Sequence, residues 1–149
     1  MNNLVSTVED YRHQATFPTR WNDNDQYGHV NNAVYYEAMD TTINTWLISA
    51  GLELTGSEHI AVCASSSCEY RASVTFPEAM RVGLRAGRLG TTSVTWELAI
   101  HREPAGGDDG PVATGRFVHV FVDARTRRPA PIPDVLRKAI ERDLVVDGA

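Results

Sequence analysis

The sequence predicts an α+β domain in which one long helix lies against a five-stranded antiparallel sheet. Three observations lead there. Residues 33–50 place apolar side chains at three- and four-residue steps, the period of a helix. From residue 60 onward the period switches to two and keeps returning through four consecutive stretches. The chain has 149 residues, no internal repeat and no linker-like stretch, so residues 1–149 are read as one domain that buries both kinds of face together.

The elements follow in order. Val8–Arg20, rich in Tyr, Thr and Phe, reads as a first strand. The helix from Ala33 to Ala50 has Tyr36, Met39, Ile43, Trp46, Leu47 and Ala50 on one face. Asn31 or Asn32 is placed to cap it, and Gly51 to end it. Residues 60–76 form a long candidate strand stopping at Pro77. Met80, Val82, Leu84 and Ala86 alternate with Arg81, Gly83, Arg85 and Gly87, and Val94, Trp96, Leu98 and Ile100 repeat the pattern. Pro104–Pro111, with its glycines and aspartates, is a hairpin turn. Val112–Asp123 is apolar on both faces near Val118–Val122, which predicts a central strand. Arg125–Pro133 is a turn, and Asp134 is placed to cap a short helix over about residues 134–144. A sheet curled around one helix hides the helix stripe but leaves its other face and an edge open, so self-association is expected.

Bulk properties exclude several function classes. A net charge of −5 disfavours non-specific binding to nucleic acid or anionic membranes, both of which need excess Lys and Arg. No apolar run approaches the roughly 18 residues of a membrane span, and Met1–Gln14 lacks the apolar core of a signal peptide, so a cytoplasmic location is expected. In an unbroken strand, Cys63 and Cys68 fall on opposite faces about 16 Å apart, too far for a disulfide. Without a CxxC pattern or a third cysteine, a thiolate metal site is not expected, nor is any cofactor.

The chemistry concentrates in residues 21–36, Trp-Asn-Asp-Asn-Asp-Gln-Tyr-Gly-His-Val-Asn-Asn-Ala-Val-Tyr-Tyr. Asp23 and Asp25 stand in a turn-forming stretch directly before the helix, whose first backbone N–H groups have no partners within the helix. A carboxylate beside such donors can attack a carbonyl carbon or activate water while the donors receive the developing oxyanion. Asp23 reads as a turn residue bonding nearby amides, and Asp25 as the reactive carboxylate. His29 can orient that carboxylate or a water. The same stretch fails as a calcium loop, because Tyr27 and Val34 occupy its fifth and twelfth positions. Ser65-Ser66-Ser67 lacks the Gly-x-Ser-x-Gly spacing of a nucleophile elbow.

The segment Asp23-Asn24-Asp25-Gln26-Tyr27-Gly28-His29-Val30-Asn31-Asn32, with this element order, resembles the hotdog-fold acyl-CoA thioesterases of the 4-hydroxybenzoyl-CoA thioesterase-like family. The resemblance spans about residues 10–133 and extends through Cys68-Glu69-Tyr70-Arg71, Gly87-Arg88-Leu89-Gly90-Thr91-Thr92-Ser93 and Thr126-Arg127-Arg128-Pro129-Ala130-Pro131-Ile132-Pro133. It implies hydrolysis of an acyl-CoA to a carboxylic acid and coenzyme A. Asp25 would serve as nucleophile or general base, and the backbone N–H of Asn32 would polarise the carbonyl. It also implies a homodimer or homotetramer with sites between subunits. Where some relatives carry a basic cluster, this chain has Gly90-Thr91-Thr92. The phosphates of the substrate therefore fall to Arg88, Arg127 and Arg128, with hydroxyls such as those of Thr91 and Ser93. Glu37 and Asp40 on the helix are rival carboxylates, since some hotdog thioesterases use a helix-borne acid. Two other readings remain open on the same fold: a 3-hydroxyacyl thioester dehydratase using His29, and a non-catalytic acyl-CoA-binding module.

Overall fold

The computed structural model describes residues 10–53, 57–104 and 110–145. Strands β1 (His13–Phe17), β2 (His59–Tyr70), β3 (Ala79–Leu89), β4 (Ser93–Glu103) and β5 (Ala113–Asp123) form one antiparallel sheet in the order β1-β3-β4-β5-β2. Helix α1 runs Asn32–Ser49 and helix α2 runs Asp134–Asp143.

Cross-strand rows assign the two faces. Val82, Ile100, Ala113 and Tyr70 form one row, and Leu84, Leu98, Gly115 and Cys68 the next. Both look towards α1, since a Cβ on Gly115 would collide with the sulfur of Met39. The buried face of α1 is wider than the predicted stripe: Val34, Tyr35, Ala38 and Thr42 join Met39, Ile43, Trp46 and Leu47. A curved sheet covers a helix over more of its circumference than a flat one does. The opposite row, Arg85, Glu97 and Arg116, carries ion pairs, Arg85–Glu97 at 2.9 Å and Arg116–Glu97 at 3.7 Å. Part of the outer face is therefore polar, contrary to the expectation of an open apolar surface.

The helix start and end follow the capping residues. Asn31 is the N-cap, its side-chain oxygen accepting from Ala33 N–H at 2.9 Å. At the other end Leu52 N–H bonds Leu47 carbonyl and Gly51 N–H bonds Ile48 carbonyl, with Gly51 at φ 119°. That pair of bonds needs a residue in the left-handed region, which glycine occupies without strain.

Several boundaries differ from the sequence reading. The first strand covers His13–Phe17 only, within the predicted Val8–Arg20, and residues 1–9 lie outside the described residues. The second strand ends at Tyr70 rather than at residue 76, because Arg71 and Ala72 N–H both turn onto the Val112 carbonyl. The central strand is β4, with β5 between it and β2. Asp134 is the first residue of α2, not its cap; Pro133 takes the cap position and no side chain bonds there. The Pro104–Pro111 turn falls largely on residues 105–109, outside the described residues. Finally, a bulge at residue 64 shifts the β2 register between Cys63 and Ser65. The extra residue resets the alternation, so Cys63, opposite His119, and Cys68, opposite Gly115, share the helix-facing side. Both cysteines are free.

Candidate active site

The site begins with a rigid loop ahead of α1. Asp23 is 3% exposed; its carboxylate accepts from Arg20 N–H at 2.8 Å and from the Arg20 guanidinium at 2.9 Å. Its carbonyl accepts from Asn31 N–H at 2.8 Å, tying the loop's beginning to the helix cap. Asn24 pairs with Val30, and the Asn24 side-chain oxygen accepts from Phe76 N–H at 3.2 Å. Asp23 thus serves the loop's structure, as its position in the turn predicts.

Between these anchors Asp25–His29 makes a tight turn. Asp25 N–H bonds the His29 carbonyl at 2.8 Å and Gly28 N–H bonds the Asp25 carbonyl at 3.1 Å, with Gly28 at φ 80°. The side chain of Asp25 joins in: its Oδ1 accepts from Tyr27 N–H at 2.8 Å and from His29 N–H at 3.4 Å. The carboxylate is therefore oriented by backbone amides through one oxygen. Its Oδ2 meets no donor among the described residues. His29 contributes its main chain to this turn, and its exposed ring makes no hydrogen bond among the described residues.

The helix start supplies the donor. Every backbone polar group around residues 31–33 is engaged but one. Asn31 N–H bonds Asp23, Asn31 carbonyl accepts from Val34 N–H at 2.9 Å, and Ala33 N–H is capped by Asn31. Asn32 carbonyl accepts from the Tyr70 hydroxyl at 3.1 Å. The N–H of Asn32 has no acceptor among the described residues, at the positive end of an 18-residue helix. Tyr70 itself packs edge-on against Tyr35, ring centres 5.1 Å apart, while the Tyr35 hydroxyl accepts from Val74 N–H at 3.1 Å. Partial burial, with Cys68 and other neighbours, holds the Tyr70 phenol well above the ordinary tyrosine range, so it stays protonated. Tyr70 stood in the sequence only as one letter of a motif. Its contact depends on a register that no local pattern contains.

Of the predicted substrate-binding residues, Arg127 and Arg128 lie at the other end of the sheet, while Arg88, near the row of Thr95, Val118 and Ser65, stands partway along it. Ser93 pairs with Val120, Thr92 carbonyl accepts from Phe121 N–H, and Asp123 pairs with His59. The helix start, by contrast, adjoins Tyr70, at the far end of β2. Eleven residues of strand separate the two ends by on the order of 35 Å. Arg88 lines a hollow of about 460 Å³ on the outer face with Arg85, Thr95, Glu97 and Arg116. Arg127 and Arg128 do not line it. They sit in the turn after β5, with Arg127 at φ 64° and the Asp123 carboxylate accepting from Arg125 and Thr126 N–H at 2.9 and 2.7 Å. Those two amides hold the Asp123 carboxyl below its ordinary range. Thr91 lines a second hollow of about 420 Å³ with Gly90, Ile132 and Arg137, whose guanidinium donates to the Gly90 and Thr91 carbonyls. The expected joint surface of Arg88, Arg127 and Arg128 is thus split between an outer-face hollow and a turn.

On α1, Glu37 and Asp40 are exposed, and Asp40 accepts from the Asn44 side chain at 3.1 Å. Among the described residues no group of three His, Cys, Asp or Glu is arranged to hold a metal ion, and no helix is long and apolar enough to cross a membrane.

A five-stranded antiparallel sheet around a long helix, with a turn-borne carboxylate before the helix start, is the hotdog arrangement of a thioester hydrolase. The chain belongs to the thioesterase-like superfamily, whose family model matches residues 19–140. Among solved structures it is similar to the PA5185 protein from Pseudomonas aeruginosa strain PAO1, at 48% identity and TM-score 0.85, covering 92% of this chain and 94% of that one. It is also similar to the PA2801 protein of Pseudomonas aeruginosa, a proposed thioesterase, at 35% identity and TM-score 0.81 over 87% and 98% of the two chains. A third is a thioesterase complexed with coenzyme A and Zn from Thermus thermophilus, at 25% identity and TM-score 0.75 over 89% and 94%. No curated protein matches the chain.

Proposed function

We propose that this protein hydrolyses acyl-CoA thioesters, with Asp25 as the reacting carboxylate and Asn32 N–H as the oxyanion donor. The observation that carries the reading is a pair of groups without a partner among the described residues, Oδ2 of Asp25 and N–H of Asn32, each on a residue whose neighbouring amides are bonded. A thioester carbonyl has little resonance stabilisation, so one oriented carboxylate and one dipole-backed donor suffice without a nucleophilic serine. Asp25 attacks the carbonyl carbon and the C–S bond breaks, expelling coenzyme A as its thiolate and leaving a mixed anhydride that water then cleaves; or Asp25 takes a proton from a water that attacks the carbonyl carbon, and collapse of the tetrahedral adduct expels the same thiolate, which takes up a proton. In both routes charge gathers on the carbonyl oxygen and is received by Asn32 N–H, a donor worth about 2.7–4 kcal/mol in such sites. Coenzyme A bound to the Thermus thermophilus thioesterase supports this substrate class.

The active form in this reading is at least a homodimer. Residues 62–67 of edge strand β2, Val-Cys-Ala-Ser-Ser-Ser, are all exposed and carry none of the charges or prolines that shield open edges. A second copy adding there antiparallel would bring its His59 end beside the Tyr70 end of the first. The turn bearing Arg127 and Arg128 in one copy would then approach Asp25 and Asn32 of the other, uniting residues that one chain keeps apart.

The test is release of free thiol from short, long and aromatic acyl-CoAs. Asp25→Asn is expected to lower kcat at least about a hundredfold, while Glu37→Gln, exposed on the helix, leaves it near the original value. Loss of turnover in Glu37→Gln with Asp25→Asn active would transfer the role to the helix carboxylate.

A further inference from the structure

We infer that Tyr70 is a positioning residue for hydrolysis, its hydroxyl anchoring the first helical residue so that Asn32 N–H stays aimed at the thioester carbonyl. The inference rests on the reading of Asn32 N–H as oxyanion donor and adds to it the group that sets its direction. Helix first turns fray, because their N–H groups lack partners and the residues ahead of them have none of the helix's own bonds. Here the turn is bonded from three sides. Asp23 carbonyl accepts from Asn31 N–H at 2.8 Å, the Asn31 side chain accepts from Ala33 N–H at 2.9 Å, and Tyr70 donates to Asn32 carbonyl at 3.1 Å. The first two lie in the loop and the helix themselves. Tyr70 is 38 residues away in sequence and is the bond that ties Asn32 to the sheet.

The geometry suits the task. Tyr70 stands in the helix-facing row with Ala113, Ile100 and Val82, at the last position of β2. Its ring is braced by Tyr35, which is 2% exposed and is itself bonded to Val74. A carbonyl oxygen has two lone pairs, so Asn32 can accept the phenol while still serving the helix. The peptide carrying Asn32 carbonyl is pinned at its oxygen by Tyr70 and at its N–H by the Asn31 side chain. The preceding peptide, which carries Asn32 N–H, is held at its Asn31 carbonyl by Val34 N–H at 2.9 Å, so both peptide planes flanking the Asn32 Cα are bonded and rotation that would swing Asn32 N–H aside is opposed. Because the anchor sits on the open edge strand, pairing of β2 with a second copy would stiffen it further.

The experiment compares Tyr70→Phe with Tyr35→Phe in the full chain, using steady-state thiol release and the infrared carbonyl stretch of a bound non-hydrolysable ketone analogue of acyl-CoA. Tyr70→Phe is expected to lower kcat by about three- to tenfold, the worth of one hydrogen bond, with KM unchanged and the carbonyl stretch moved back towards its unbound value. Tyr35→Phe removes the hydroxyl of the other ring, which bonds Val74 and not Asn32, and keeps the ring that braces Tyr70; it is expected to lower thermal stability with kcat and carbonyl stretch unchanged. Equal loss of kcat in both variants, or an unchanged kcat and stretch in Tyr70→Phe, would overturn the inference. If Tyr70→Phe does not fold, 3-fluorotyrosine at position 70 keeps the shape and strengthens the donor; a carbonyl stretch that fails to shift further then overturns it. Absence of turnover in the unmodified protein would instead sink the functional reading itself.

Discussion

The two ends of the sheet are built on opposite plans. At the helix start, bonds among Asp23, Asp25, His29, Asn31 and Ala33 orient the turn and leave one Asp25 carboxylate oxygen and the Asn32 N–H without a partner among the described residues. At the hairpin end Gly90 N–H bonds Ser93 carbonyl and Ile132 N–H bonds Thr91 carbonyl, and the guanidinium side chains of Arg127 and Arg128, with that of Arg88 partway along the sheet, have no bonded partner among the described residues. A reacting group has to be held within a fraction of an ångström, so it is built into a turn and a helix end. An anchor for a flexible charged tail tolerates side chains that move. The distance between the ends adds a second lesson: in the proposed reading, one chain carries the reacting groups and the Arg127 and Arg128 anchor too far apart to use both on one substrate molecule.

The strongest way to break this arrangement is at the open edge that would join the ends. Ser65→Lys with Ser67→Lys places charges on β2 away from the helix-facing row, and like charges brought together there cost several kcal/mol. Light scattering should show monomers, and turnover should fall in step with the dimer fraction. A monomer with full activity would show that one copy suffices.

Next in size is the contrast inside the loop itself. Asp23→Asn should cost about 2 kcal/mol of stability, since its buried carboxylate accepts several charge-assisted bonds. The kcat of the folded fraction should stay near the original, the reverse of the Asp25→Asn result. Chemical denaturation followed by thiol-release assays at saturating substrate separates the two.

At the anchoring end, replacing Arg88, Arg127 and Arg128 together with Gln should raise KM for acyl-CoA about tenfold at low salt with little change in kcat. The difference from the original protein should shrink at high salt, because exposed charges are screened. Testing Arg88 apart from Arg127 and Arg128 would show which of the two separated positions meets the phosphates.

The smallest effect lies between the two ends. His119 is buried beneath α1 against Trp96, ring centres 6.2 Å apart, and burial lowers its pKa despite the opposing pull of Asp40. Its folded pKa lies below its unfolded one, so the unfolded chain binds the proton more readily. Stability should therefore decline as pH falls from the ordinary histidine range towards the depressed folded value, and level off below it. His13, lowered the same way, adds to that slope. His119→Gln should flatten most of the decline in melting temperature over that window; an unchanged slope would assign it elsewhere.

Much of this was legible in the residues. Periodicity placed α1 and the last three strands to within a few residues, and Asn31 and Gly51 marked the helix ends because capping is local chemistry. The structural role expected of Asp23 from its place in the turn agrees with the loop's bonding pattern, while the reactive role of Asp25 stays a proposal. The end of β2 at Tyr70 was not legible, since residues 71–76 keep an extended-looking composition and only the turn of Arg71 and Ala72 onto Val112 stops the ladder.

Which segments are helix and strand, and the meeting of a cap with a carboxylate at a helix start, could be read from the order of residues. Each depends on neighbours within a few positions. Three facts emerged with the packed domain alone: a bulge at residue 64 puts Cys63 and Cys68 on one face, Tyr70 reaches Asn32, and Arg127 and Arg128 stand at the end of the sheet opposite to it. Those facts depend on strand register and order. Register and order are set by which faces can be buried together, a property of the whole domain that no short window of residues contains.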